Sequence, residues 1–315
     1  MLRPLGKTGL EIAPLVLGGN VFGWTVDEKK AFSLLDGFVE AGLNAIDTAD
    51  SYSTWVEGHK GGESETIIGR WLKDNPGKRD KVLLFTKVGS DLGDGKKGLS
   101  ARWIAQAAED SLRRLQTDVI DLYQSHWPDP QTPIEETLSA YERLLRAGKV
   151  RAIGASNLDA AQLQNALTVA RQRGLPPYAT LQPEYNLYER RVFEGSLRDL
   201  CVREGLGVIT YFSLASGFLS GKYRSTADLG KSQRGAGMGK YLNPRGVRIL
   251  EALDQVAAAK SAKPAEVALA WLIAQKGVTA PIASATNSEQ LASLVRAVAL
   301  NLSAQELTAL DSASA

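Results

Sequence analysis

The sequence predicts an α/β fold, a closed (β/α)8 barrel, and three observations carry that expectation. Short apolar runs rich in β-branched residues alternate with amphipathic stretches of helical period. The runs end near positions 18, 47, 87, 125, 156, 182, 211 and 284, most of them about one strand–helix unit of ~30 residues apart. Eight such units in 315 residues favour a closed barrel over two ordinary domains. A doubly wound sheet shares the local pattern and is the competing architecture.

The elements follow in order. A short N-terminal β-hairpin opens the chain before the first barrel strand. The clearest strands are "KVLLF" at 81–85, "DVIDLY" at 118–123, "VRAIGA" at 150–155 and "GVITYF" at 207–212; "APIASA" at 280–285 is weaker. Among the helices, residues 100–115 begin on Ser100, a good N-cap, and the next opens with Thr132 and Pro133 and closes on Gly148. Residues 158–173, 189–204 and 264–276 read the same way. One interval is anomalous, the 73 residues from 211 to 284. It holds a glycine- and serine-rich stretch, 215–243, and an extra helix near 245–260. Long insertions of this kind in compact domains are more often functional lids than accidents. No linker divides the chain, so residues 1–315 read as one barrel domain.

Composition narrows the function classes. The chain is 44% hydrophobic and 23% charged, with 37 basic and 35 acidic residues well mixed. That balance gives no footprint for nucleic acid. One cysteine, Cys201, excludes an intramolecular disulfide and a cysteine-rich metal site. No apolar run approaches the ~20 residues of a membrane helix, and "MLRPLGKTGL" lacks a signal-peptide core. The expected compartment is the cytoplasm, and the oligomeric state stays open. "LGKTGL" has the ending of a phosphate loop but not its first glycine, and "RGAGMGK" at 234–240 follows no strand, so it reads as lid. With only His59 and His126 and no two-His motif, no metal site is expected.

The chemistry gathers at strand ends. Asp47 ends "NAID", Lys87 ends "LLFTK", and His126 follows "LYQS". Singly, such residues read as a helix cap, a solvated cation and a packed imidazole. In a barrel all strands finish at one face, so the three would converge there with Tyr52 on the first loop after Asp47. A phenol holds its proton at neutral pH and is a sluggish acid. A nearby ammonium would lower its pKa, and burying that ammonium requires a carboxylate. The expected unit is a proton donor built on Tyr52, with His126 able to bind a substrate oxygen.

These residues, "DTADSY", "FTK" and "LYQSH", resemble the Asp-Tyr-Lys-His tetrad of the aldo-keto reductases. The likeness runs on through "RPLGKTGLEIAPLVLGG", "GESETIIGRWL" at 62–72, "IGASN" at 153–157, "LQPEYNL" at 181–187 and "SLASGFLSGKY" at 213–223. The resemblance implies NAD(P)H-dependent reduction of aldehydes or ketones, sugar-like ones included, with Tyr52 as acid and Lys87 and Asp47 depressing its pKa. His126 would orient the carbonyl. It implies a nicotinamide carboxamide held by Ser156, Asn157 and Gln182, with Tyr211 stacked on the ring and Gly19, Asn20, Val21 and Asp47 alongside. A loop over 214–245 would cover the pyrophosphate through Ser213, Leu214, Gly217, Leu219, Gly221 and Lys222. Ser284, Thr286 and Gln290 would border the adenosine. Ser156 and Asn157 also read as the N-cap of the fifth helix.

The match departs after the eighth strand, where Thr286 stands in place of a basic residue reading the 2′-phosphate, and Ser293 and Leu294 replace the frequent Glu and Asn. NADPH is favoured over NADH, with a weakened preference unless Lys222 or Arg224 compensates from the lid. Trp24, Trp55 and Trp127, with Phe22 near, would wall the substrate pocket, and the polar loop 88–98 would add selectivity. The same scaffold also serves potassium-channel β subunits, which keep the tetrad, so a regulatory binding protein is the alternative. The short segment before the first barrel motif argues mildly against a channel-gating role.

Overall fold

The computed structural model describes residues 2–315. A two-stranded antiparallel hairpin, β1 (Arg3–Pro4) and β2 (Glu11–Ile12), precedes the barrel. The barrel strands are β3 (Val16–Gly18), β4 (Ala45–Asp47), β5 (Leu83–Val88), β6 (Ile120–Ser125), β7 (Val150–Ser156), β8 (Thr180–Gln182), β9 (Gly207–Thr210) and β10 (Ala280–Ala283). All pair in parallel in chain order, and β10 closes on β3. Every observed strand end lies within one residue of its expected position, which is the expected (β/α)8 barrel.

Helices α1 (Glu28–Glu40), α2 (Glu63–Asp74), α3 (Ala101–Leu115), α4 (Ile134–Arg146), α5 (Ala160–Arg173) and α6 (Ser196–Glu204) cover the outside. The expected extra helix is α7 (Pro244–Lys260), followed by α8 (Pro264–Ala274), α9 (Ser288–Ala299) and α10 (Ala304–Ser314). Local chemistry sets several starts. Ser100 Oγ accepts from Trp103 N, as its position predicts, and Asp27 caps α1 through Lys30 N. Two expectations fail here. The fifth helix is capped by Asp159 in a reciprocal pair with Gln162, so Ser156 and Asn157 have no capping role. Helix α6 starts at Ser196, well after residue 189, because Asn186 Oδ1 takes the amides of Tyr188 and Glu189 and Gly195 sits at φ 86.

The two ends of the barrel differ. At the amino ends of the strands the hairpin acts as a plug. Leu5, Leu10 and Ile12 pack with the interior residues Val16, Ala45, Phe85, Leu122 and Ile209. Gly6 is required there, at φ 55 and so close to Gly207 that a Cβ would lie 2.2 Å from its nitrogen. At the carboxyl ends the inward positions turn polar, and the register sets Lys87 beside Gln124 and Ser156 beside Gln182. The barrel is therefore dry at one end and reactive at the other.

The stretch after β9 is not structureless. It folds into three 3-10 segments, Ala215–Ser220, Thr226–Lys231 and Gly235–Tyr241. Phe218 stacks on Tyr241, centroids 5.0 Å apart, and Tyr188 meets Tyr241 edge-on at 4.7 Å. No helix of the described residues is long and apolar enough to cross a membrane.

Candidate active site

Strand β4 delivers Asp47 to the barrel mouth and β5 delivers Lys87, both essentially without solvent exposure. Lys87 Nζ donates to Asp47 Oδ2 at 2.7 Å, to Thr48 O at 2.8 Å and to Tyr52 Oη at 2.7 Å. Three acceptors satisfy the three ammonium hydrogens. Tyr52 Oη in turn donates to Asp47 Oδ2 at 3.1 Å. The other carboxylate oxygen, Oδ1, accepts from Gln182 Nε2 at 3.0 Å and, more loosely, from Gln124 Nε2 at 3.5 Å. Gln124 is a polar residue that the sequence reading missed. It follows a strand run as Lys87 does, but no motif singled it out.

His126 faces Tyr52 edge-on, ring centroids 6.1 Å apart. Its backbone is held at both ends, His126 N donating to Val88 O at 2.8 Å and Asn157 Nδ2 donating to His126 O at 2.9 Å. Burial, with the Lys87 charge, holds the imidazole well below its usual pKa, so the ring is neutral at physiological pH.

One expectation is corrected in sign. The sequence predicts that Lys87 lowers the Tyr52 pKa. Burial and the Asp47 carboxylate instead raise the phenol well above its ordinary value. Desolvation likewise lowers the Lys87 ammonium. In this state Tyr52 keeps its proton and donates it in a hydrogen bond to Asp47. Asp50, the second carboxylate of "DTADSY", stands outside the cluster. Both of its oxygens are buried without a hydrogen-bond partner. Burial and the Glu65 charge push its carboxyl well above the usual carboxylate range.

Beside the cluster a groove of about 600 Å³ runs between the loops after β3, β9 and β10. Of the residues expected on a cofactor, Val21, Ser213, Leu214, Gly217, Lys222, Ser284, Thr286 and Gln290 line it. Asn20 Oδ1 accepts from Ser284 Oγ at 2.7 Å, and Gly19 O accepts from Ser64 Oγ. Leu219 is instead fully buried in the core, and Gly221, at φ 78, terminates its 3-10 segment; neither lines the groove. Ser156, Asn157, Gln182 and Tyr211 form a linked set. Ser156 Oγ donates to Gln182 O, and Tyr211 Oη donates to Asn157 Oδ1 at 2.7 Å.

The groove is cationic. Lys30, Lys222, Lys231 and Arg234 line it, and among the described residues no carboxylate does. Arg234 lies over Trp24, 5.1 Å from the ring centroid, across the groove from its own loop. This arginine opens "RGAGMGK", the stretch expected only as lid. Arg224, the other proposed source of charge, is committed elsewhere. Its guanidinium makes a bidentate pair with Asp254, both contacts at 2.8 Å.

Around the mouth the aromatics form an arc. Trp24 meets Trp55 edge-on at 5.6 Å, Trp55 lies 6.3 Å from Tyr52, and Trp127 stacks on His126 at 5.7 Å. Trp55 and Trp127 are about half exposed. Phe22 is fully buried and takes no part in this wall. Among the described residues no group of three or more His, Cys, Asp or Glu could hold a metal ion.

A parallel barrel with a tyrosine, lysine and aspartate joined by hydrogen bonds at its carboxyl face, and a cationic groove of about 600 Å³ alongside, is an oxidoreductase type of site. The chain belongs to the aldo/keto reductase family, whose model matches residues 14–315. It is 38% identical to the oxidoreductase YrpG of Bacillus subtilis (strain 168), over 98% of this chain and 94% of that protein. It is 33% identical to the aldo-keto reductase YhdN of the same organism, over 96% and 90% of the two chains. A protein described as "Probable voltage-gated potassium channel subunit beta", from Oryza sativa subsp. japonica, is 32% identical over 94% of this chain and 90% of its own length.

Proposed function

We propose that the protein reduces aldehydes or ketones to alcohols with NAD(P)H, Tyr52 supplying the proton. The observation that carries this reading is the position of Tyr52 Oη, 2.7 Å from Lys87 Nζ and 3.1 Å from Asp47 Oδ2. The phenol holds its proton in the resting state and has an ammonium hydrogen bond ready for the phenolate that forms when the proton leaves. A carbonyl oxygen entering the mouth displaces Asp47 as the acceptor of that proton. His126 offers a second hydrogen bond to the same oxygen.

The groove fits a dinucleotide phosphate on its donor set, with four basic side chains lining it and the lid residues Ser213, Leu214 and Gly217 beside them. When bound, the nicotinamide supplies a hydride to the carbonyl carbon. Asn157 and Gln182 would hold its carboxamide, Gln182 exchanging one of its present contacts with Asp47 and Gln124. Residues 214–245 cover this groove, and residues 1–315 act as one domain. Lys222 and Arg234 favour NADPH, in place of the basic residue absent at Thr286. Trp24, Trp55 and Trp127 suit flat apolar or sugar-like carbonyl compounds.

The rice relative motivates a second reading, a regulatory protein on this scaffold with little turnover. Loss of reduced-nicotinamide absorbance against a panel of aldehydes, ketones and keto-sugars separates the two. Turnover with any member supports the reductase; tight cofactor binding without turnover across the panel supports the regulatory reading.

A further inference from the structure

The His126 imidazole has two protein contacts on its ring nitrogens, and both fall on Nδ1. Ser90 Oγ lies 3.0 Å away, and Ser51 Oγ lies 3.5 Å away, at the outer limit of a hydrogen bond. Ser90 sits two residues beyond the end of β5, in the loop that starts directly after Lys87 and Val88. Among the described residues its hydroxyl has no other hydrogen-bond partner, so its proton and lone pairs are free to serve the ring.

A neutral imidazole has one donor and one acceptor nitrogen. The partner of one nitrogen sets the role of the other. If Nδ1 accepts, Nε2 carries the hydrogen and can donate to a carbonyl oxygen. If Nδ1 donates, Nε2 turns a lone pair toward that oxygen and repels it.

We propose that Ser90 is a positioning residue that donates its hydroxyl hydrogen to Nδ1 and so fixes His126 as the Nε2–H tautomer. The catalytic use of this tautomer rests on the reductase reading, but the tautomer itself exists without cofactor or turnover. The backbone contacts at His126 N and O fix the ring's base, and the Ser90 hydroxyl sets its hydrogen. Ser51 belongs to the loop that carries Tyr52, and its longer contact leaves it a spectator to the tautomer.

The full chain contains only two histidines, which makes the test direct. The chain labelled with 15N-histidine would give two pairs of ring nitrogen resonances, and His59→Gln would assign them. In the wild type at neutral pH, His126 Nδ1 is expected to be the unprotonated nitrogen and Nε2 the protonated one. Ser90→Ala is expected to raise the Nδ1–H population several-fold, while Ser90→Thr and Ser51→Ala keep the wild-type pattern. Carbonyl reduction by Ser90→Ala would fall about tenfold in kcat, the scale of one neutral hydrogen bond, with Ser90→Thr restoring it. An Nδ1–H wild type, or a Ser90→Ala spectrum identical to it, overturns the proposal whatever the activity. A wild type with the expected tautomer but no turnover leaves Ser90 in its role and removes the reductase reading instead.

Discussion

Removing the ammonium from the Lys87–Asp47 pair is the sharpest perturbation of the site that can be read without any substrate. Both side chains are 1% exposed and 2.7 Å apart. In Lys87→Met the Asp47 carboxylate keeps the weak amide donors of Gln182 and Gln124 and the Tyr52 hydroxyl but loses its only cation. Stranding one member of a buried pair costs about 3–5 kcal/mol. At ~2.1 cal/mol/K per residue, unfolding entropy for a chain of this length is about 0.66 kcal/mol/K, so Tm should fall by about 5–8 °C. Asp47→Asn leaves Lys87 uncompensated and should cost a similar amount. The double variant, with neither charge, should recover most of the loss, giving a coupling well above ~1 kcal/mol. Calorimetry measures all of this. Single variants that each lose less than ~1 kcal/mol, or losses that simply add, would refute the buried pair.

Asp50 gives a pH signature. Its folded pKa is raised, so it stabilises fully below the unfolded carboxylate value near ~4 and loses that contribution as pH rises. Asp50→Asn removes the titration, and its Tm relative to wild type should climb from pH 5 to pH 8; a constant gap would count against a raised Asp50 pKa. In the groove, Lys222→Ala and Arg234→Ala should each weaken NADPH binding by about tenfold or more, the scale of a charge-assisted hydrogen bond, with a loss that diminishes at high salt. Arg224→Ala, engaged with Asp254, should change NADPH binding less than twofold, and fluorescence titration would expose the opposite ranking. That ranking would return the lid's discrimination to Arg224, as the sequence alone allowed.

Much of the fold was legible because strand ends and helix caps are local events. Alternation of apolar runs with amphipathic stretches placed all eight barrel strands, and Ser100 marked the start of its helix. The Asp47, Tyr52, Lys87 and His126 cluster was legible for a different reason, since a barrel gathers residues at strand ends whatever their separation in the chain. What depended on packing was not legible. The start of α6 is set by the Asn186 side chain and the backbone of Gly195, not by the hydrophobic period. Asp159 outcompetes Ser156 and Asn157 as a cap through its partner Gln162. The direction of the Tyr52 pKa depends on how far burial and Asp47 outweigh the nearby Arg234 charge, which requires distances. Arg224 and Arg234 are equivalent as letters in a glycine-rich loop. Only the fold turns one toward Asp254 and the other across the groove onto Trp24.

The central claim is that Tyr52 gives the proton in a carbonyl reduction, and Tyr52→Phe beside wild type tests it most directly. Phenylalanine keeps the ring and removes only the hydroxyl that contacts both Lys87 and Asp47. Single-turnover reduction should fall at least ~100-fold, the lower end of what a positioned general acid contributes, while NADPH binding measured by fluorescence stays within about twofold. Equal turnover in the two proteins would contradict the account.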